Sequence, residues 1–278
     1  MIKINQHDLS KILEVNENYQ IEEHHNGNLF YITIDDFFKN PDDLVDFLVK
    51  FPADNFEDAL NNNLFDFESN SYQSPPGIQQ IIHPQYFQCF ASTLLEILCD
   101  CNYLPNTENK SDDLNDGIHF NQVRKFSYYT NCISSKSVSF RKNNLPHIDQ
   151  SRFTFNFHLS KNVTSGLNFY KLKLKEKRFS NIKSIMEESN EEKNTIKNLL
   201  NDNLSLNEES AKDHRVEPFK SIEENDLFVL YEQCDFKFNR LVLYESDYWH
   251  SINHDSTVES NPRYSLVSTY NYSQDEIT

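Results

Sequence analysis

The stretch 146–159 reads Pro146-His147-Ile148-Asp149-Gln150-Ser151-Arg152-Phe153-Thr154-Phe155-Asn156-Phe157-His158-Leu159. Its second half alternates phenylalanine with polar residues, the period-two pattern of a β-strand with one apolar face. Thr154 and Asn156 share an inward parity on that strand, and His158 is on the same strand. The first half is extended too, so His147 and Asp149, two residues apart, project to the same side.

Working outward, the chain from Gly117 onward is rich in Phe, Tyr, Val and Thr in short runs. Strands are predicted at 122–130, 151–159, 166–172, 227–231, 240–244 and 264–272, a spacing typical of an antiparallel sandwich or barrel. Before Gly117 the texture differs. A strand at 29–34 precedes Asn40-Pro41, which opens a helix carrying Leu44, Phe47, Leu48 and Phe51 at helical spacing. A second helix is predicted at 83–99, and loops at 55–74, at the turn 75–77 and in the charged segment 106–116. The highly charged stretch 173–225 places Phe179, Ile182, Ile185, Met186, Ile196, Leu199 and Leu200 at helical spacing, so a helical insertion is expected there. The Glu-rich run within it, 187–192, reads as a solvated helix face.

The 278 residues carry 26 Lys+Arg against 43 Asp+Glu, a net charge of −17. That charge disfavours nucleic acid as a partner, because phosphate contacts need clustered cations. With 22 Phe and 14 Tyr the chain can build a core, which excludes wholesale disorder. No stretch approaches a membrane span, and the first residues do not read as a signal peptide. Five cysteines are an odd number in a chain too large to need staples, so reduced thiols and a cytoplasmic location are expected. Cys99-x-Cys101 is too tight for a usual zinc pair, and His254 follows His250 by four on a segment that does not read as a helix.

The chemistry concentrates in three places. An imidazole and a carboxylate, His147 and Asp149, suit Fe(II) when a second histidine completes a facial triad. His250, which follows the strand-like run 238–244, is the natural third ligand. Arg263 comes 13 residues later, with Ser265 two positions on and on the same strand face. A guanidinium forks onto a carboxylate and a hydroxyl adds a hydrogen bond, so this pair suits the free end of a dicarboxylic co-substrate.

In this order the elements resemble the 2-oxoglutarate/Fe(II)-dependent dioxygenase superfamily: His-x-Asp, a distant His, then Arg-x-Ser. The segment 29–51 looks like the N-terminal strand-helix lobe of its prolyl-hydroxylase-like branch. The run 165–170 (Ser-Gly-Leu-Asn-Phe-Tyr) is similar to a Gly-Gly-x-x-Phe strand start, with Ser165 in place of the first glycine. Pro76-Gly77-Ile78, Pro146-His147-Ile148-Asp149, the Asn239–Tyr244 motif and His250-Ser251 resemble a subfamily found in marine phages and bacteria.

The resemblance implies a mainly β fold with α: a double-stranded β-helix (jelly roll) core over 117–278, with the insertion at about 173–225 and an N-terminal α/β lobe over 1–116 packed on the core. It implies Fe(II) on His147, Asp149 and His250, with 2-oxoglutarate and O2 as co-substrates. It implies hydroxylation of a C–H bond of a peptide side chain, amino acid or small metabolite, with release of succinate and CO2. Asp149 favours hydroxylation, since halogenating relatives carry a small residue there. The location would be cytoplasmic, including that of a phage-infected host cell.

Arg263 and Ser265 would hold the co-substrate, with Tyr129 (or its neighbour Tyr128) and Asn156 as further contacts. Thr154 is an alternative pocket residue. His158 reads as a satisfied or exposed histidine rather than a ligand. Trp249 would shield the metal or pack in the core, and Asn239 and Arg240 would serve the motif or the barrel rim. The insertion and the N-terminal lobe are expected to shape the substrate entrance. Two other readings stay open: a non-enzymatic jelly-roll binding module for carbohydrate or protein, and a family member without turnover.

Overall fold

A computed structural model of the chain describes residues 11–50, 78–82, 88–101, 126–133, 146–149, 151–164, 166–200, 224, 226–253 and 263–270. The expected loops at 55–74 and 106–116, the turn 75–77, Ser165, His254 and the 201–223 part of the insertion lie outside them.

The protein is mainly β, with antiparallel sheets. The strands are β1 (Gln20–Asn26), β2 (Leu29–Asp35), β3 (Ile78–Ile82), β4 (Phe126–Ile133), β5 (Phe153–His158), β6 (Leu167–Leu174), β7 (Lys177–Phe179), β8 (Phe228–Cys234), β9 (Leu241–Glu245), β10 (His250–Ile252) and β11 (Arg263–Tyr270). The helices are α1 (Pro41–Lys50), α2 (Gln88–Asp100), α3 (Ile182–Met186) and α4 (190–200). A large sheet runs β1-β2-β9-β5-β11-β4-β3. In a smaller one, β6 pairs β8 along one edge, and β10 and β7 along the other.

The six strands expected downstream of Gly117 correspond to β4, β5, β6, β8, β9 and β11, with ends shifted by a few residues. Within the insertion, α3 and α4 are helical. Its first part is not: 173–179 belongs to the β6–β7 hairpin, turned at Lys175 with φ 53. Strands β1, β2 and β3, from the 1–116 segment, hydrogen-bond into the large sheet itself.

Three apolar clusters stack around the sheets. Leu29, Tyr31, Val242 and Tyr244 of the large sheet meet Leu167, Phe169 and Cys234 of the small one between the two sheets. The far face of the large sheet, with Phe153, Phe155 and Phe157, packs against Leu44 of α1 and Leu94, Ile97 and Leu98 of α2. The far face of the small sheet, with Tyr170, Leu172 and Trp249, packs against Ile185 of α3 and Ile196 of α4. No described helix is long and apolar enough to cross a membrane.

Three positions of the quoted motifs have structural explanations. A side chain at Gly166 would strike the Cys234 carbonyl, so only glycine lets β6 begin against the end of β8. Asn239 adopts φ 61, and its side chain accepts from Phe38 N at 2.9 Å while donating to Phe38 O at 2.8 Å. Arg240 grips Asp35 through Nε (2.6 Å) and Nη2 (3.1 Å). Both residues therefore clasp the β2–α1 segment onto β9, a rim role. Asn40 precedes α1, but its side-chain amide donates to the Lys11 carbonyl rather than capping the helix.

Candidate metal centre

The two halves of the centre meet through backbone. Residue 147 forms a β-bridge with residue 250, extending the small sheet beyond β10. Asp149 N donates to Ser246 O at 2.9 Å, which fixes the extended segment at its other end. Strand periodicity then projects His147 and Asp149 to one side, as their spacing predicts. His147, Asp149 and His250 offer ligand atoms that all lie within 4.8 Å of one another. Asp149 Oδ1 is 3.9 Å from His147 Nε2, and Asp149 Oδ2 is 3.4 Å from His250 Nε2.

The surroundings orient these atoms. His250 Nδ1 lies 2.8 Å from Tyr248 O. A carbonyl only accepts, so Nδ1 carries a proton and Nε2 is the nitrogen left to ligate a metal. Thr154 Oγ1 donates to Asp149 Oδ2 at 2.9 Å. Its single proton is then used, so Ser246 Oγ, 2.7 Å away, donates to Thr154, and Ser151 Oγ donates in turn to Ser246. Burial pushes the Asp149 carboxyl up, but the imidazoles of His250 and His147 and the Thr154 hydrogen bond outweigh it. The carboxyl lies well below its ordinary range, so it is an anion ready to ligate. The His250 side chain is 4% exposed and that of His147 44%, so the centre opens to solvent on the His147 side.

A second group of polar atoms lies on the inner face of the large sheet. Directly paired residues share a face. Thr154 pairs with Tyr244, Asn156 with Val242 and Val267, and His158 with Ser265. This face meets the small sheet, and Arg263, two residues before Ser265, belongs to it as well. Arg263 has no exposed surface, and its Nε and Nη2 have no hydrogen-bond partner among the described residues. Asn156 Oδ1 and Ser265 Oγ are likewise buried without partners. Burial lowers the Arg263 pKa to about 10, so the guanidinium is still a cation at neutral pH.

The site residues expected from sequence are thus brought onto one inner surface: the triad at one end, with Asn156, Arg263 and Ser265 further along. Tyr129 pairs with Val267 and Ile81 in the register. Thr154 spends its hydroxyl proton on the Asp149 carboxylate. Trp249 belongs to the apolar cluster behind the small sheet, against Phe228 at 5.3 Å between ring centroids, so its role is packing. The reading of His158 needs correction. It is fully buried, and neither ring nitrogen has a partner among the described residues. The strand carries it inward opposite Ser265, and Phe236, from the turn after β8, stacks on its ring. The described part of the insertion also differs from expectation: α3 and α4 back the metal-bearing strand, with Ile148 packed on their cluster.

Sequence reasoning missed Ser246, Ser151, Phe236 and the Tyr248 carbonyl. Each acts from a turn or through backbone, where residue type carries no signal. Among the described residues Cys99, Cys101 and Cys234 are free thiols. No curated protein matches the chain. Residues 16–265 match the family of unknown function DUF6445, a span that takes in His147, Asp149, His250 and Arg263, and the chain belongs to that family.

Proposed function

We propose that this protein is an Fe(II)- and 2-oxoglutarate-dependent oxygenase that hydroxylates a C–H bond of a peptide side chain, amino acid or small metabolite. The observation that carries the reading is the pairing of two sites on one inner surface. One is an acid-and-imidazole triad; the other is a buried guanidinium, its Nε and Nη2 without partners among the described residues, on the sheet face that also bears Thr154. A buried cation without a counter-ion is costly, and a carboxylate-bearing ligand accounts for it.

The donor set fits the cofactor. Two neutral nitrogens and one carboxylate oxygen suit Fe(II) and leave positions for other ligands. Fe(II) with 2-oxoglutarate and O2 supplies the oxidation, inserting one oxygen atom into the substrate C–H bond and leaving succinate and CO2. The chain's own part is to hold and orient. The Ser151–Ser246–Thr154 chain sets the Asp149 carboxylate, Tyr248 O sets the His250 tautomer, and Arg263 with Ser265 and Asn156 would hold the far carboxylate of 2-oxoglutarate. The closed apolar cluster between the sheets, with Tyr31, Phe169 and Tyr244, keeps water from the inner end.

The strand order supports a double-stranded β-helix as the scaffold. The chain alternates between the sheets: β4 large, the His147 bridge small, β5 large, β6 and β8 small, β9 large, β10 small, β11 large. The test is anaerobic Fe(II) titration with and without 2-oxoglutarate. A visible metal-to-ligand charge-transfer band that vanishes in Arg263→Met, with metal binding retained, upholds the reading. Metal binding without a band makes the centre one of another kind, and no metal binding leaves a binding module or a family member without turnover.

A further inference from the structure

His158 is the one histidine among the described residues whose ring nitrogens are both buried and without partners. Its position is rigidly set. Its N donates to Arg240 O and its carbonyl accepts from Asn239 N, both at 2.8 Å. Its ring lies on Phe236 at 4.2 Å between centroids, with 4° between planes. The same Phe236 ring carries the Arg263 guanidinium, 5.2 Å from its centroid. Ser265, with its own unpartnered Oγ, pairs directly with His158.

Burial, with the cations Arg263 from β11 and Arg240 from the turn before β9, keeps the imidazole neutral; Asp35 of β2 opposes them more weakly. A neutral imidazole has one N–H donor and one acceptor. Here the donor has nothing to bond among the described residues. His158 is also remote from the metal triad. It lies four residues along β5 from Thr154, roughly 13 Å at a strand's rise per residue. It therefore belongs with the far end of the site.

We propose that His158 is a second anchor, beside Arg263, for the far carboxylate of the bound 2-oxo acid, and so sets the site's preference for a diacid over a monoacid. The inference rests on the oxygenase reading. The N–H of a fixed, neutral ring adds one more directed donor to those of the Arg263 guanidinium. A ligand ending in a methyl group would leave both groups buried and unpartnered, which is how such a site rejects it.

The experiment is calorimetric titration of the Fe(II)-loaded protein, without O2, using 2-oxoglutarate and 2-oxopentanoate, which lacks the far carboxylate. Wild type, His158→Phe, His158→Gln and Arg263→Met are compared. His158→Phe keeps the stack on Phe236 and removes the donor. It should weaken 2-oxoglutarate about tenfold, the usual scale of a hydrogen bond to a charged group, and leave 2-oxopentanoate unchanged. His158→Gln, which keeps an N–H donor, should recover part of the loss. In turnover the change should fall on KM for 2-oxoglutarate and leave kcat within about twofold.

A second readout is the ¹⁵N resonance pair of His158 in wild type. Saturating 2-oxoglutarate should shift its protonated nitrogen. An affinity for 2-oxoglutarate unchanged in His158→Phe overturns the proposal alone. If that variant fails to fold, an unmoved His158 resonance in wild type overturns it equally. Failure of wild type to bind 2-oxoglutarate at all overturns the oxygenase reading and this proposal with it.

Discussion

His147 and His250 exchange both of their backbone hydrogen bonds, each 2.9 Å long, and their rings stand 4.6 Å apart. Two ligands distant in sequence are thus a directly opposed strand pair, set by main-chain bonds that need no imidazole. Removing one ring should remove a metal ligand and leave the pairing. His147→Ala is the cleaner case, since its side chain is nearly half exposed. Fe(II) affinity should fall by at least about 100-fold, while stability changes by no more than about 0.5 kcal/mol. Metal titration and chemical denaturation check the two halves separately.

Thr154→Val keeps the shape of the side chain and deletes the proton that Asp149 Oδ2 accepts. The carboxylate then loses its fixed orientation, and the hydroxyls of Ser246 and Ser151 lose the end of their chain. Metal affinity should drop about 10- to 100-fold, the range found for outer partners of metal ligands. Ser246→Ala, one step further out, should cost less. An equal loss in both variants would mean that the hydroxyl chain acts as a unit.

Arg263 predicts a trade between stability and ligand binding. Burial works against its cation, and Tyr244 and the Phe236 ring beneath it only partly offset this. Arg263→Met keeps the apolar stem over Phe236 and removes the charge. The ligand-free protein should become more stable by about 2 kcal/mol, near 5 °C in Tm, while 2-oxoglutarate binding is lost. Thermal unfolding with and without the diacid measures both. A destabilised variant would show that a structural partner holds the guanidinium.

Much of this was legible in the sequence because strand periodicity is local. Phe153, Phe155 and Phe157 against Thr154, Asn156 and His158 give both faces of β5 directly, and His147-x-Asp149 gives its own side. The strands β1, β3, β7 and β10 were not legible. β10 is three residues long, and β1 (QIEEHHN) is mostly polar, so neither carries an apolar pattern. The β6–β7 hairpin hides in a charged run whose apolar residues also fit a helix, and the turn at Lys175 decides between them. The burial of His158 was out of reach as well, since Phe236 covers it from a turn distant in sequence.

The Asp35–Arg240 clasp gives an acid-side prediction. Hydrogen bonds from Arg240, then Lys237, hold the Asp35 pKa near 2, against 3.8 for the free group. The carboxylate's contribution is complete above pH 3.8 and is lost as pH falls from there to about 2. Its side chain is 34% exposed, so solvent screening reduces the effect to about 1 kcal/mol. Asp35→Asn should cost about that much at pH 7 and nothing near pH 2. Denaturant unfolding across this range tests the clasp that binds β2 to β9.

His158 gives the opposite window. Burial and the two nearby arginines push its pKa well below 6.5, so the folded protein keeps it neutral where the unfolded chain protonates it. The unfolded state then binds more protons below pH 6.5, and stability from this group falls as pH falls. It is present above pH 6.5 and is lost progressively below it. His158→Phe removes the titration and should lose less stability between pH 7.5 and 5.5. A carboxylate bound beside the ring favours the protonated imidazole, so 2-oxoglutarate should flatten the wild-type curve over the same interval. Equal pH profiles for wild type and His158→Phe would mean that the folded protein accommodates a protonated ring at this position.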